Sequence, residues 1–281
     1  MRIMRCILFI AMVISGSHCF LVDTPSQLKW DNLKVTWGLD THSPNYFSPL
    51  PRTVTDAIHA GFKKIGDCSV LAHWRGQRFV KNDDYSLILL YDIHGFIAGI
   101  QTAVPIETGR NYPNSSLTPP FVRDGHRWVI SAYFVPPSII CSRGRSQAEF
   151  DAEGTGTNLY IQNGTVPENS FIVPHKEVGL SHSKWVEGHC FFAMGKHFWY
   201  DLRADSDCNA LFPVFLLYNN KGELTAFGWA MVTNLVSTRY EHPSPISFGL
   251  FIKDVPRCLN VAGVLTTMHI YLTSNVTLDT C

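Results

Sequence analysis

Two hydrophobic periods divide this chain. Residues 53–65 carry Val54, Ala57, Ile58, Phe62 and Ile65 on one stripe at helical spacing, with Thr53 or Thr55 available as a cap, which predicts an amphipathic helix. Runs rich in β-branched and aromatic residues at 86–91, 96–104, 128–135, 212–218, 224–234, 246–253 and 264–272 predict strands. Residues 92–95 (Asp-Ile-His-Gly) and 219–222 (Asn-Asn-Lys-Gly) read as four-residue hairpin loops, each ending on a glycine where the backbone needs positive φ. Few helices and many hairpins imply antiparallel sheet. The polar, Pro/Gly-rich stretches 105–124 and 142–156 read as mobile linkers.

The pattern occurs twice. Residues 89–99 and 216–226 both read strand, tight turn, strand, and the match extends outward from them. Residues 51–68 face 174–190, each ending in Gly-x-Cys, and Gly76-Gln77-Arg78-Phe79 faces Gly195-Lys196-His197-Phe198. Tyr133-Phe134-Val135 before Cys141 faces Leu250-Phe251-Ile252 before Cys258. The common order of these matches implies two units, 20–157 and 158–281. The expected fold is α+β: two pseudo-symmetric copies of a unit in which one helix packs on an antiparallel sheet, crosslinked by disulfides. Equivalence of Cys68 with Cys190 and of Cys141 with Cys258 predicts the pairs Cys68–Cys141 and Cys190–Cys258. Cys208, on an insertion peculiar to the second unit, is left with Cys281.

Composition sets the compartment. The first 19 residues run from a basic start (Arg2, Arg5) through a short apolar stretch to small residues, the pattern of a signal peptide. Cleavage after Cys19 leaves six cysteines, an even set suited to an oxidising compartment. Cleavage after Ser17 would instead expose His18 as an N-terminal, copper-chelating histidine. Sequons at Asn114, Asn163 and Asn275 agree with secretion. Lys+Arg and Asp+Glu both number 23, so there is no basic footprint for nucleic acid. No stretch is long and apolar enough to predict a transmembrane anchor. These features point to a secreted extracellular protein with an unidentified extracellular ligand.

Candidate chemistry is concentrated in the second unit. His175, His182, Glu187, His189, Cys190, Met194, His197, Asp201, Asp205 and Asp207 lie close in sequence, with Glu241 and His242 on a later loop and His269 in the last apolar run. Imidazoles at this density suit zinc or copper, or are ordinary polar residues of exposed loops, since no spacing is diagnostic. His189, His197 and His242 are the candidate ligands, joined by His269 if the strands converge. The first unit carries Asp67 and Arg78 where the second has His189 and His197, so such a site would belong to the second unit alone. There is no Gly-x-Ser-x-Gly elbow and no phosphate-cradling glycine loop. Seven tryptophans suit a ligand cavity or an ordinary β-rich core, with Trp74 and Trp199 the two expected near the surface. Three functions remain: a non-enzymatic binding or matrix protein with no cofactor, a zinc- or copper-dependent hydrolase using the second-unit histidines and, only if cleavage exposes His18, a copper oxygenase.

Overall fold

The computed structural model describes residues 28–36, 47–107, 112–114, 117 and 120–278. The expected leader over 1–19, with His18 and Cys19, and the final Cys281 lie outside the described residues. In chain order the elements are β1 (Lys34–Val35), β2 (Ser48–Pro49), α1 (Val54–His59), β3 (Lys63–Gly66), β4 (Gln77–Val80), β5 (Ile88–Tyr91), β6 (Ile97–Pro105), β7 (Val122–Asp124) and β8 (Arg127–Tyr133). There follow α2 (Pro137–Ile140), α3 (Gln147–Glu153), β9 (Leu159–Gln162), β10 (Ser170–Val173), β11 (Trp185–Phe191), β12 (Gly195–Tyr200), β13 (Val214–Tyr218), β14 (Leu224–Met231), α4 (Arg257–Ala262) and β15 (Thr266–Tyr271).

Among the described residues the strands form two antiparallel sheets. One has the order β10-β9-β8-β6-β5-β4-β3 with β7 paired to β8, and the other the order β11-β12-β13-β14-β15-β1-β2. The first sheet is built from the consecutive strands β3 to β10, whereas the second joins β11 to β15 with the early strands β1 and β2. β1 lies against β15, with Lys34 opposite Tyr271, and β9 lies against β8, with Tyr160 opposite Tyr133.

Leu89, Tyr91, Ile100, Ala132 and Phe134 of the first sheet share one core with Leu216, Phe227 and Ile270 of the second. Across it the Phe134 and Phe227 rings lie 6.3 Å apart. Successive strand residues point to opposite faces, so Ile88, Leu90, Val129 and Tyr133 turn away into a second cluster on the outer side of the first sheet. Strands covered on both sides read as continuous apolar runs, which is why 86–91 and 212–218 show no clean alternation.

The two turns form as their residues require. Asp92 Oδ1 accepts from the His94 and Phe96 N–H groups, and Asn219 Oδ1 accepts from those of Lys221 and Glu223. Gly95 and Gly222 take positive φ, at +88° and +65°.

Three local expectations are corrected. The helix expected over 53–65 stops at His59: Gly61 turns the chain at φ +85°, and Lys63–Gly66 becomes a strand paired with β4. Ala57 and Phe62 are buried as the stripe implied, but Ile58 is 58% exposed. The α-helices have only four to seven residues each. The strand expected over 246–253 is replaced by a 3-10 helix, Pro245–Leu250, because Pro245 has no N–H for a ladder and Phe248 is carried inward to full burial. The 142–156 linker contains α3, started by a capping box in which Ser146 and Glu149 satisfy each other's backbone N–H groups. Ser146→Ala is expected to cost about 1 kcal/mol, read as a lower urea midpoint at unchanged m-value.

The disulfides are corrected in part. Cys68–Cys141 forms as expected, ties β3 to the residue following α2, and flanks the outer cluster of the first sheet. Cys208 pairs with Cys258, so the expected pairs Cys190–Cys258 and Cys208–Cys281 are not formed. The physical reason is packing: the connection between β12 and β13 folds against α4, where the Arg257 N–H donates to Ala204 O and Cys258 Sγ lies 3.1 Å from Ser206 O. Cys190 is disulfide-bonded too. Asn275 is exposed, and Asn114 and Asn163 are half-buried.

Candidate functional site

On the outer face of the second sheet lies a cavity of about 330 Å³. Its wall is mostly aromatic and aliphatic: Phe191 and Met194 from the β11–β12 hairpin, Trp199 from β12, Phe215 from β13, and Leu250 and Phe251 from the 3-10 segment and its end. Its polar groups are few: His197, Glu241, His242, Ser247, Thr267 and His269.

The site is positioned by strand register. His197 stands opposite Leu217, and Gly228 stands between Phe215 on one side and His269 on the other. Glu241 forms an isolated bridge to Thr267, exchanging both backbone hydrogen bonds at 2.9 Å, and so lies beside His269. The following 3-10 segment then closes one side of the cavity.

Hydrogen bonds fix the imidazole tautomers. His197 Nδ1 lies 3.1 Å from the His189 carbonyl, which can only accept, so Nδ1 carries the proton and Nε2 is an acceptor while the ring is neutral. His197 is almost fully buried, and burial together with neighbouring His269 pushes its pKa down to about 3, so the ring is neutral at physiological pH. His269 Nδ1 donates to Glu241 Oε2 at 2.7 Å. Its Nε2 is buried without a hydrogen-bond partner, which is costly for a polar atom. The two rings stand edge to face with centroids 6.2 Å apart.

The expected candidate ligands are therefore distributed as follows. His197, His242 and, with them, His269 and Glu241 meet at one cavity. His189 does not join them through its side chain, which is exposed; it contributes its carbonyl to His197. His242 is exposed, and its Nε2 donates to the Leu235 carbonyl at 2.9 Å. No group of three His, Cys, Asp or Glu among the described residues is arranged to hold a metal ion. His175 stacks on Trp30, Glu187 pairs with Lys253, and Asp201 pairs with Arg203, each away from the cavity.

The aromatic wall was not legible as a site, because Phe215, Trp199 and Phe251 read equally as core. Trp199, expected near the surface, is 3% exposed, its indole N–H donating to Phe251 O at 3.2 Å. Trp74 is half-buried and covers the Arg78 guanidinium at 4.3 Å.

Gly228 holds the cavity open. A Cβ there would sit 2.1 Å from Phe215 Cζ and 2.5 Å from Met268 O, so the ring would have to swing out of its seat. Gly228→Ala is expected to cost about 1–3 kcal/mol by overpacking and to reduce the cavity. Urea denaturation checks the first effect, and probe uptake the second.

Comparison with protein families, with curated proteins and with solved structures finds no match to this chain.

Proposed function

We propose that this is a secreted, N-glycosylated, disulfide-bonded extracellular protein that binds a small, mainly apolar ligand in the cavity of its second sheet. The cavity carries this reading: its volume, its aromatic wall and its few polar groups are those of a small-molecule site. Disulfides suit an oxidising compartment, in line with the leader pattern and the sequons. Among the described residues no helix is long and apolar enough to cross a membrane.

We infer a duplication in which the second copy carries the cavity and, among the described residues, the first copy fills the matching positions. Its support is positional. Tyr91 donates to Pro51 O at 2.8 Å and Tyr218 to Pro174 O at 2.6 Å. Bulges fall after Leu90 and after Leu217. The ladder row Ile88, Gln101, Ser131 in one sheet has its counterpart in Phe215, Gly228, His269 in the other, and Arg78 opposite Leu90 has its counterpart in His197 opposite Leu217.

In the first sheet these positions are filled. Arg78 donates to Gln101 at 3.0 Å and to Asp124 at 2.7 Å, Gln101 donates to Ser131 at 2.7 Å, and Trp74 covers the guanidinium. In the second, glycine replaces the glutamine and two imidazoles replace the arginine and serine, which leaves room. Asp124 of β7, which pairs with β8, holds Arg78 of β4, while Glu241, bridged to Thr267 of β15, holds His269 of that same strand.

A second reading, a zinc- or copper-dependent hydrolase, draws support from the histidines themselves. Each of His197 and His269 has Nδ1 engaged by a carbonyl or carboxylate, as metal-bound histidines do through their second nitrogen.

Equilibrium dialysis of the secreted protein against naphthalene, with elemental analysis of the same sample, separates the readings. The binding reading expects about one equivalent of probe per chain, reduced in Gly228→Ala, and no stoichiometric metal. Absence of probe uptake overturns it. Stoichiometric zinc or copper that is lost in His197→Ala replaces it with the hydrolase reading.

A further inference from the structure

An apolar wall says that a ligand enters; the polar groups say what it must carry. We propose that the cavity selects an uncharged molecule with a compact, two-ring-sized aromatic or aliphatic body and a hydroxyl or N–H group that donates a hydrogen bond to the imidazole pair His197 and His269. The inference rests on the binding reading above and specifies its ligand class.

Size comes first. A dry apolar cavity of about 150 Å³ takes one benzene, and this one measures about 330 Å³, which suits a body of two fused rings. Phe191, Trp199, Phe215 and Phe251 supply faces and edges for such a body.

Polarity comes second. His197 spends its proton on the His189 carbonyl, so Nε2 offers a lone pair. His269 gives its Nδ1 proton to Glu241, and its Nε2 is buried beside the cavity with nothing to satisfy it. A ligand that only accepts finds no complement in these lone pairs, whereas a hydroxyl or N–H donor does.

Charge comes third. Glu241 lines the same cavity and repels a carboxylate. An ammonium is drawn by the same charge but must shed its water against a mostly apolar wall, where Glu241 Oε2 already accepts from His269 at 2.7 Å and from Thr267 Oγ1 at 3.2 Å. Desolvating either ion adds a further cost.

The test compares probes of one shape by equilibrium dialysis at neutral pH: naphthalene, 2-naphthol, 2-methoxynaphthalene, 2-naphthoate and 2-naphthylmethylammonium. The expected result is that 2-naphthol binds about tenfold or more tighter than 2-methoxynaphthalene, the size of one good hydrogen bond. Both ions bind more weakly than 2-naphthol. His197→Phe and His269→Phe are measured side by side, each shown to be folded by its far-UV circular dichroism: the preference for naphthol over methoxynaphthalene falls to about threefold or less in the variant that removes the acceptor, and an unchanged preference in both overturns the inference. Equal affinities for naphthalene, 2-naphthol and 2-methoxynaphthalene in the native protein overturn the inference but leave the cavity a binding site. Tighter binding of either ion overturns it as well. No binding of any probe overturns the binding reading itself.

Discussion

Replacing Arg145 by methionine is expected to destabilise the protein by about 3–5 kcal/mol, the cost of breaking a buried ion pair from one side. Arg145 and Asp92 have side chains only 1% exposed, with Nε 3.7 Å from Oδ2. The guanidinium also donates to Gly154 O at 3.1 Å and to Ile97 O, joining the first hairpin to the end of α3. Burial opposes its charge and lowers its pKa, while Asp92 and Glu153 support the charge. Methionine fills similar length but leaves two carbonyls and a carboxylate without their cation. Asp92 retains the backbone donors of its turn, so the hairpin should keep its conformation and the loss should appear in global stability. Urea denaturation with the disulfides intact measures it. A loss below about 1 kcal/mol, typical of an exposed pair, would mean that the interaction is solvated.

Acidification should unfold the second sheet's site before most carboxylates titrate. The His197 pKa lies at about 3 in the folded protein, against about 6.5 in an unfolded chain. Above the unfolded value the ring is neutral in both states and costs nothing. As pH falls from about 6.5 toward 3 the unfolded state binds a proton that the folded state refuses, so stability is lost at up to about 1.4 kcal/mol per pH unit. Between pH 6.5 and pH 4 this amounts to about 3 kcal/mol from one residue. His175, also lowered by burial, acts in the same direction. Unfolding free energies from urea titrations at several pH values should show this slope, and His197→Phe, which cannot protonate, should flatten it. An identical slope in the variant would assign the acid sensitivity elsewhere.

Legibility in the sequence followed the range of the interaction involved. Asp92, Gly95, Asn219 and Gly222 announce their turns because side chain and backbone satisfy each other within a few residues. The Ser146/Glu149 capping box is equally local, and its Ser-x-x-Glu signal could have identified α3. The stripe over 53–65 misled because its period ignored Gly61, whose positive φ ends the helix and returns the chain to a strand. Cys208–Cys258 lay beyond reach, since the expected symmetry assigned Cys258 to Cys190 and only folding of the β12–β13 connection against α4 brings Cys208 nearer.

At the candidate site, the histidines and Glu241 were conspicuous because polar groups are rare in apolar runs. Their aromatic surroundings were not, because a phenylalanine that lines a cavity and one that fills a core follow the same strand period. The contrast between Gln101 and Gly228 carries the most information about the site. It becomes visible only when the registers of the two sheets are set side by side.

A crystal structure of the protein with 2-naphthol bound would place the ligand. Density for the rings is expected between Trp199, Phe215 and Phe251, with the hydroxyl at hydrogen-bonding distance from Nε2 of His197 or His269. Density confined to another cavity, such as the more polar one lined by Tyr200, Arg203 and Asp207, with the His197 cavity empty, would contradict it.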